Sequence, residues 1–377
     1  MATIIDFRSD ASTNPTPEMR RAMAEAEVGN DDFGEDPTVI RLEETIARLL
    51  DKQDAVFVHS GTMANLTAVM THVDPDETVL IGSHFHIFDF ESAAMERIVR
   101  CRFQTLDDVT AGGRTRLLLE NVLTGNQPQE SRPRLLCLEN TVGRLGGTLI
   151  TPAHLNEVTS WARSHGMTIH LDGARLFSAA VGLGVEAAEL AGYADTVSVA
   201  LTKAVGAPAG AAVAGSREVT DQIRRYRWML GGNWKQGGVF AAACLHGLQT
   251  VNKAVAVDHD NARRLAEALN AMSGCWVDLD QIVTNIVFLE VTDSSIDVDR
   301  LRADMTDQGF LFGRWKPGSF EGGQRCRFVT QRDITSDDVD RFAHAFEETL
   351  NRQRQLPASQ TMRAEGEQVD HQTGKKS

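Results

Sequence analysis

The chain is poor in cysteine and in positive charge, and it has no long hydrophobic segment. Its five cysteines are scattered over 377 residues without a Cys-x-x-Cys pair, so neither a disulfide framework nor a zinc site is indicated. With 38 Lys and Arg against 52 Asp and Glu, the formal net charge of -14 argues against a nucleic acid as partner. No apolar stretch approaches the ~18 residues of a membrane-spanning helix, and the N-terminal segment lacks a signal pattern. The sequence therefore predicts a soluble, cytoplasmic protein with no membrane partner and no metal.

The composition is otherwise that of a globular protein, with 42% hydrophobic and 24% charged residues. Short apolar segments alternate with segments of helical period through residues 17–255, which predicts a large domain with a mainly parallel sheet covered by helices. The length suggests a second, smaller α/β domain, and residues 256–355 contain two further strands and two helices. Residues 1–16 predict an N-terminal arm, and the polar residues 356–377 predict a disordered tail.

One lysine stands where a surface lysine would be poorly solvated. Lys203 follows the apolar segment 196–201 and enters a turn of small residues, and upstream Asp172 follows the apolar segment 167–171. Pyridoxal 5'-phosphate (PLP) needs two such groups, a lysine that forms a Schiff base and a carboxylate that keeps the pyridine nitrogen protonated. The alternative is a surface lysine in a loop and an aspartate that caps a helix. These local features alone leave both interpretations open.

A second polar turn follows the apolar segment 55–58. Ser60, Gly61 and Thr62 stand at the start of a predicted helix, where free backbone N–H groups and the helix dipole suit a phosphate dianion. The motif has neither the lysine of a Walker loop nor the glycine spacing of a dinucleotide-binding loop. A serine or threonine at such a position is more often simply an N-cap.

Two histidines follow the next apolar segment, residues 78–81. His84 and His86 alternate with aromatic residues, so they could bind a metal, stack on a flat cofactor or fill the edge of the core. A metal is the least favoured, because no third ligand has a helpful spacing. In a parallel sheet the functional groups belong at the carboxyl ends of the strands, where Ser60, His86, Asp172 and Lys203 all fall.

Short motifs occur in a characteristic order over about residues 4–350. They are Asp6–Asp10, Gly34–Thr38, Phe57–Asn65, His86–Phe88, Glu139–Thr141 with Arg144 and Gly146–Gly147, His170–Phe177, Lys203 with Gly206–Pro208, Met229–Gly232, Thr284–Asn285 and Arg327–Thr330. Together they resemble the threonine aldolase family of PLP enzymes, the low-specificity L-threonine aldolases grouped with β-eliminating lyases. The resemblance implies the aspartate-aminotransferase-like fold type I, with a large mainly parallel-sheet domain and a smaller C-terminal α/β domain.

The resemblance also implies which residues hold the cofactor. Lys203 would be the Schiff-base lysine, Asp172 the partner of the pyridinium nitrogen, and His86 the imidazole stacked on the ring. Gly61 and Thr62 would hold the phosphate. In the family a basic residue of a neighbouring subunit also reaches the phosphate, and its place is taken here by Lys235. The expected assembly is therefore a homodimer or homotetramer with the active site at the subunit interface.

For the substrate, the resemblance implies an amino acid whose carboxylate is clamped by Ser9, Arg175 and Arg327, with Arg175 counted in the cofactor site as well. The family's reaction is the retro-aldol cleavage of a β-hydroxy-α-amino acid to glycine and an aldehyde. Alternatives are β-elimination, racemisation, and a PLP-binding protein without turnover.

One departure from the family pattern concerns the substrate side chain. After Glu-Asn-Thr the family usually has a histidine that serves the β-hydroxyl group, followed by asparagine, and this chain has Val142 and Gly143. The replacement removes a polar anchor and predicts a substrate side chain that is bulkier than that of threonine or aromatic. His86 or a water molecule would then act as the base, and His84 and His59 are further candidates nearby in the sequence.

Overall fold

The computed structural model describes most of the chain, and the predicted tail, residues 356–377, lies outside the described residues. The structural statements below concern residues 4–106, 108–111, 114–117, 132–315 and 324–355.

The described residues form fifteen strands and twelve α-helices. The strands are β1 (Ile5–Asp6), β2 (Asp54–Val58), β3 (Thr78–Gly82), β4 (Arg102–Leu106), β5 (Asp108–Ala111), β6 (Arg114–Leu117), β7 (Pro133–Glu139), β8 (Thr168–Asp172), β9 (Thr196–Ala200), β10 (Ala211–Gly215), β11 (Cys275–Trp276), β12 (Ile286–Val291), β13 (Phe310–Leu311), β14 (Gly313–Trp315) and β15 (Gln324–Val329). The helices are α1 (Pro17–Ala24), α2 (Pro37–Leu49), α3 (Gly61–His72), α4 (Ser92–Ile98), α5 (Pro152–Ser164), α6 (Leu176–Leu183), α7 (Ala187–Ala191), α8 (Arg217–Met229), α9 (Gly238–Leu248), α10 (Val251–Asn270), α11 (Val298–Asp307) and α12 (Ser336–Arg354).

A seven-stranded sheet forms the centre of the larger part of the molecule. Its order is β2–β10–β9–β8–β7–β3–β4, and within it β10 alone runs antiparallel to its two neighbours. The predicted mainly parallel sheet is therefore confirmed. The register places Glu139, the last residue of β7, opposite Asp172, the last residue of β8, and Asp172 opposite Ser198, two residues before the end of β9. The polar residues that follow these strands consequently meet at one edge.

Several helices begin with the same local signal. Thr16, Asp36 and Thr151 each precede a proline, and each side chain accepts a hydrogen bond from a backbone N–H of the first helical turn. Proline suits the first helical position because its missing N–H would have no partner there, and the capping oxygen satisfies one of the remaining donors. A threonine or aspartate followed by a proline therefore predicts where these helices begin, as it does for α1 at Pro17.

A second sheet, in the order β11–β12–β15–β14, forms the smaller part and is antiparallel. Its buried core contains a cluster of phenylalanines that pack edge to face: Phe7, Phe310, Phe312, Phe328, Phe342 and Phe346. Ile5 and Phe7 belong to this core, and β1 pairs parallel to β13. The predicted N-terminal arm is thus built into the smaller sheet region.

Helix α10 connects the two cores without a break. Val251 and Val255 contact the core of the large sheet, whereas Ala262 and Leu265 lie in the core of the smaller sheet. The predicted boundary at residues 255 and 256 falls inside this continuous helix. Among the described residues, no helix combines the length and the apolar character that crossing a bilayer requires.

Strand β4, Arg102–Leu106, forms an edge of the large sheet, parallel to β3. Only Leu106 of this strand is fully buried. The strand lacks the continuous apolar stretch that marks the central strands, so the sequence pattern does not single it out.

Candidate active site

The predicted Schiff-base lysine stands at the carboxyl edge of the large sheet. Lys203 is half-buried in the turn after β9, where its ammonium forms no hydrogen bond or ion pair with the described residues. Burial lowers the pKa of this lysine, and the positive charge of Arg175 lowers it further. A lysine with a lowered pKa and no partner is available for attack on a carbonyl group.

The predicted pyridinium partner is a buried carboxylate at the end of β8. Asp172 accepts one hydrogen bond on each oxygen, from the backbone N–H of Ala174 at 2.9 Å and from the side-chain amide of Asn65 at 2.9 Å. Each carboxylate oxygen has two lone pairs, so both retain capacity for one more donor. A protonated ring nitrogen is a donor of the right kind.

The predicted stacking imidazole begins a π-helical turn, Ile87–Glu91, after β3. The Nδ1 atom of His86 lies 2.7 Å from Oε1 of the buried Glu91, while the backbone N–H of His86 donates to Glu139. Burial alone would lower the pKa of His86, but the hydrogen bond to Glu91 and the charge of Asp172 outweigh it and raise the pKa. Single π-helical turns inside α-helices are frequent at functional sites.

The two predicted substrate-binding arginines differ in their partners. Arg175 forms a fork with the buried Asp10, with its Nε 2.7 Å from Oδ2 and its Nη2 2.9 Å from Oδ1. Despite the opposing effect of burial, this contact holds the pKa of Asp10 well below its usual range. By contrast, the buried Nε of Arg327 has no hydrogen-bond partner. Burial lowers the pKa of Arg327 to about 10, and the neighbouring charges of Arg175 and Arg144 contribute to the shift.

Glu139, at the end of β7, joins the loops that follow two neighbouring strands. One of its oxygens accepts from the backbone of His86 and the other from the backbone of Gly143 at 2.9 Å. Burial and the charge of Asp172 raise the pKa of Glu139 to about 7. This carboxyl group therefore fixes the distance between His86 and the loop that carries Gly143.

The predicted phosphate-binding residues form the start of α3. The hydroxyl of Ser60 accepts from the backbone N–H of Met63 at 3.1 Å, so this serine is an N-cap. Gly61 follows it, and a Cβ atom built there would meet nothing within 4 Å. Thr62 is exposed. An anion could thus approach the first backbone N–H groups of the helix directly.

Three of the predicted positions lie away from this cluster or have other contacts. The hydroxyl of Ser9 caps the short turn that contains Asp10, accepting from Ala11 at 3.1 Å. Lys235 forms an ion pair with Asp32 of the same chain and remains exposed. Val142 is fully buried in the core of the large sheet.

Sequence reasoning overlooked four charged or polar residues of the site. Asp10, Asn65, Glu91 and Glu139 all lie buried around the predicted groups. Glu139 directly follows a buried strand, so the rule that found Asp172 could have found it as well. Asn65 is an amide among the buried positions of α3, which was a weaker signal. The sequence alone offered no clue that Asp10 pairs with Arg175.

One nitrogen of His86 and one oxygen each of Glu91 and Asp172 lie within 4.8 Å of one another, close enough for a metal ion. The amide nitrogen of Asn65, however, donates to both carboxylates. A hydrogen-bond donor in this position occupies the oxygens that a cation would need. The arrangement favours a cationic N–H group opposite Asp172 over a metal.

Comparisons with known proteins show the family and the fold of this chain. A model of the Beta-eliminating lyase family matches residues 6–293. Low-specificity L-threonine aldolase 1 of Arabidopsis thaliana is 36% identical over 350 residues, covering 92% of this chain and 96% of that protein. The low specificity L-threonine aldolase of Escherichia coli K12 is 34% identical over 295 residues, covering 78% and 86%. The solved threonine aldolase of Leishmania major superposes with a TM-score of 0.76 at 22% identity, covering 91% of this chain and 98% of that chain.

The fold is that of the fold type I PLP enzymes, as the sequence predicted. The chain belongs to the beta-eliminating lyase family. It is a PLP-dependent lyase.

Proposed function

We propose that this lyase cleaves a β-hydroxy-α-amino acid of the threonine type to glycine and an aldehyde. The observation that carries the proposal is the arrangement at the carboxyl edge of the large sheet. There the unpaired Lys203 lies within electrostatic reach of the buried Asp172 and of Asp10. The charge of Arg327, whose Nε lacks a partner, also acts on Asp10. Lys203 and Asp172 would hold the coenzyme, and Arg327 would bind the carboxylate of the substrate beside it.

The residues suit three groups of PLP, namely its aldehyde, its pyridine nitrogen and its phosphate. Lys203 would bind the aldehyde carbon, Asp172 would accept from the pyridine nitrogen, and the backbone of Gly61 and Thr62 would receive the phosphate. His86 would lie against the ring, because Glu91 and the backbone contact with Glu139 hold it beside Asp172. When bound, PLP supplies an electron sink for the pair released from the substrate Cα.

The protein must also orient the substrate and move one proton. Arg327 would bind the α-carboxylate, because two N–H groups of Arg175 already donate to Asp10. By fixing the carboxylate, Arg327 would determine how the bonds at the substrate Cα are oriented relative to the coenzyme ring, and so which of them breaks. The β-hydroxyl proton would pass to His86 or to a water molecule, and an imidazole is suited to this at neutral pH.

The test is a panel of β-hydroxy-α-amino acids, including threonine and phenylserine, assayed for both released aldehyde and glycine. Equal amounts of the two products would support aldol cleavage. Formation of a 2-oxo acid with ammonia would instead mean β-elimination, and inversion of the amino acid alone would mean racemisation. The buried, apolar Val142 is the observation that favours these alternatives, because neither needs a polar group for the β-hydroxyl.

Replacing Arg327 by lysine should raise KM for the amino acid by roughly 10- to 100-fold, with a smaller change in kcat. Lysine keeps the charge but loses the planar pair of donors that matches a carboxylate. The control is Arg264→Lys, at an exposed arginine that pairs with the exposed Asp340. A KM that stays at the wild-type value in steady-state assays would remove Arg327 from the proposed carboxylate receptor.

We also infer that a second copy of the chain covers the exposed apolar side chains of Phe33, Trp228 and Met229. These residues belong to two segments joined by the ion pair of Arg227 with Asp31. Their exposed fractions are 74%, 70% and 59%, which is unusual for such large apolar side chains. Lys235 lies near this surface through its ion pair with Asp32. The surface therefore suits an assembly in which Lys235 reaches the phosphate site of a neighbouring subunit.

Replacing Trp228 by glutamate should weaken this assembly, because a charge would be buried at the contact. Sedimentation velocity should show a shift toward smaller species, and the affinity for PLP should fall with it. Trp276→Glu is the control, since Trp276 is also exposed but lies in the smaller sheet. If the wild-type protein sediments as a monomer, the inference is wrong.

A further inference from the structure

A chain of hydrogen bonds runs through the interior of the large domain toward the carboxylate of Asp172. It begins at His72, whose Nε2 lies 2.9 Å from Oγ1 of Thr196. The same hydroxyl lies 2.9 Å from Nδ1 of His170, and Nε2 of His170 lies 3.1 Å from Oδ1 of Asn65. Asn65 therefore connects the interior of the sheet to the site.

The side chain of Asn65 uses its complete hydrogen-bonding capacity. Its oxygen accepts from the hydroxyl of Ser198 at 2.8 Å and contacts His170. Its nitrogen donates to Asp172 at 2.9 Å and to Glu91 at 3.2 Å. A primary amide has two donor hydrogens and two acceptor lone pairs, so no position is left over.

These contacts fix the direction of every hydrogen bond in the chain. Because carboxylates accept, the nitrogen of Asn65 must face Asp172 and Glu91, and its oxygen must face His170. Nε2 of His170 then carries the proton, and Nδ1 accepts from the hydroxyl of Thr196. Burial lowers the pKa of His170 to about 4, so the ring is neutral at pH 7.

We propose that Asn65 is a positioning residue that couples the carboxylate opposite the coenzyme nitrogen, Asp172, to the imidazole over the ring, His86, by way of Glu91. One amide nitrogen bridges the two carboxylates, and Glu91 in turn holds Nδ1 of His86 at 2.7 Å. The position of the imidazole is thereby tied to the position of the carboxylate.

Without this bridge the two carboxylates would repel each other in a buried space. One carboxylate oxygen of Glu91 lies within 4.8 Å of one carboxylate oxygen of Asp172. Burial together with the charge of Asp172 already raises the pKa of Glu91. Two buried negative charges at that distance favour protonation of one of them or movement apart. Either change would release His86 from Glu91 or turn Asp172 away from the coenzyme.

The test uses Asn65→Leu and Asn65→Asp, whose side chains are similar in volume to asparagine. Both variants remove the two amide N–H donors, leucine by an apolar side chain and aspartate by a carboxylate. We expect either variant to raise the dissociation constant of PLP by roughly 10- to 100-fold, because hydrogen bonds to charged groups are lost. The pH midpoint of the absorbance of bound PLP should shift by about one unit. Asn261→Leu is the matched control, because Asn261 is an equally buried amide that donates to the backbone of Ile334.

The measurements are a PLP titration of the apoprotein, the absorbance of the holoprotein against pH, and the Tm of each variant. A purely structural role would lower the Tm of Asn65→Leu and of Asn261→Leu alike and leave the dissociation constant and the pH midpoint unchanged. That result would overturn the proposal. If Asn65→Leu does not fold, the isosteric Asn65→Asp variant provides the same readouts.

Combining Asn65→Asp with Glu91→Gln tests the coupling itself. Because both substitutions break the same connection between Asp172 and His86, their effects on the dissociation constant of PLP should be smaller together than the sum of the separate effects. Strictly additive effects would show that Asn65 and Glu91 act independently and would refute the coupling. These readouts require only PLP binding, so they stand apart from whether threonine-type substrates are cleaved.

Discussion

Replacing Lys203 by alanine is expected to end the covalent attachment of PLP and to lower kcat/KM by at least about 10³-fold. The reason is that the amine of Lys203 is the group at this edge of the sheet that can attack the aldehyde, since burial and the charge of Arg175 keep its pKa low. Borohydride reduction followed by peptide mass spectrometry should find the coenzyme on this residue in the wild-type protein and on no residue in the variant.

Lys52 provides a matched control for that experiment. It is also half-buried, and burial lowers its pKa, but its Nζ donates to the backbone oxygen of Ala194 at 2.7 Å. Lys52→Ala should therefore keep the coenzyme and most of the activity. Borohydride labelling of a lysine other than Lys203 in the wild-type protein would contradict the assignment of the site.

The second large effect is expected from Asp172→Ala, with a fall in kcat of roughly 10³-fold and weaker binding of PLP. Removing the carboxylate leaves the coenzyme nitrogen without a negative partner, so the ring withdraws electrons less well. It also leaves one donor of Asn65 and the N–H of Ala174 unpaired. Single-turnover kinetics and the PLP titration would measure the two consequences separately.

Asp258→Asn is the control for the loss of a buried carboxyl group. Burial raises the pKa of Asp258 to about 7, and its Oδ1 has no hydrogen-bond partner. Because its folded pKa exceeds its unfolded value of 3.8, the ionised form is disfavoured in the fold, and wild-type stability should fall as pH rises from about 4 to about 7. The Asn variant should lose this pH dependence and keep its turnover. An equal loss of kcat in both variants would show that any buried carboxyl substitution has this effect.

From the sequence it was possible to predict which candidate residues lie at the ends of strands. Lys203, Asp172 and His86 each follow a short apolar segment, and parallel strands bring such positions to one edge whatever the details of packing. The expectation that they meet at one edge needs only strand direction and order along the chain, whereas their roles stay predictions.

The residues that the sequence did not reveal depend on contacts between distant segments. Arg175 pairs with Asp10, which lies 165 positions away in the N-terminal segment, and no local sequence pattern predicts that contact. The sequence assigned both arginines to the substrate carboxylate on the basis of the family resemblance. Only the three-dimensional packing distinguishes Arg175, which is already paired, from Arg327, which still has an unused donor.

The course of the N-terminal segment has a mechanical consequence. Strand β1 pairs with β13 in the smaller part of the molecule. Four residues beyond the end of β1, the carboxylate of Asp10 accepts hydrogen bonds from Arg175 at the edge of the large sheet. The segment therefore links the smaller sheet to Arg175 at the edge of the large sheet, as α10 links the two cores. A displacement of the smaller sheet would be transmitted through Asp10 to the guanidinium of Arg175, whose charge acts on Lys203.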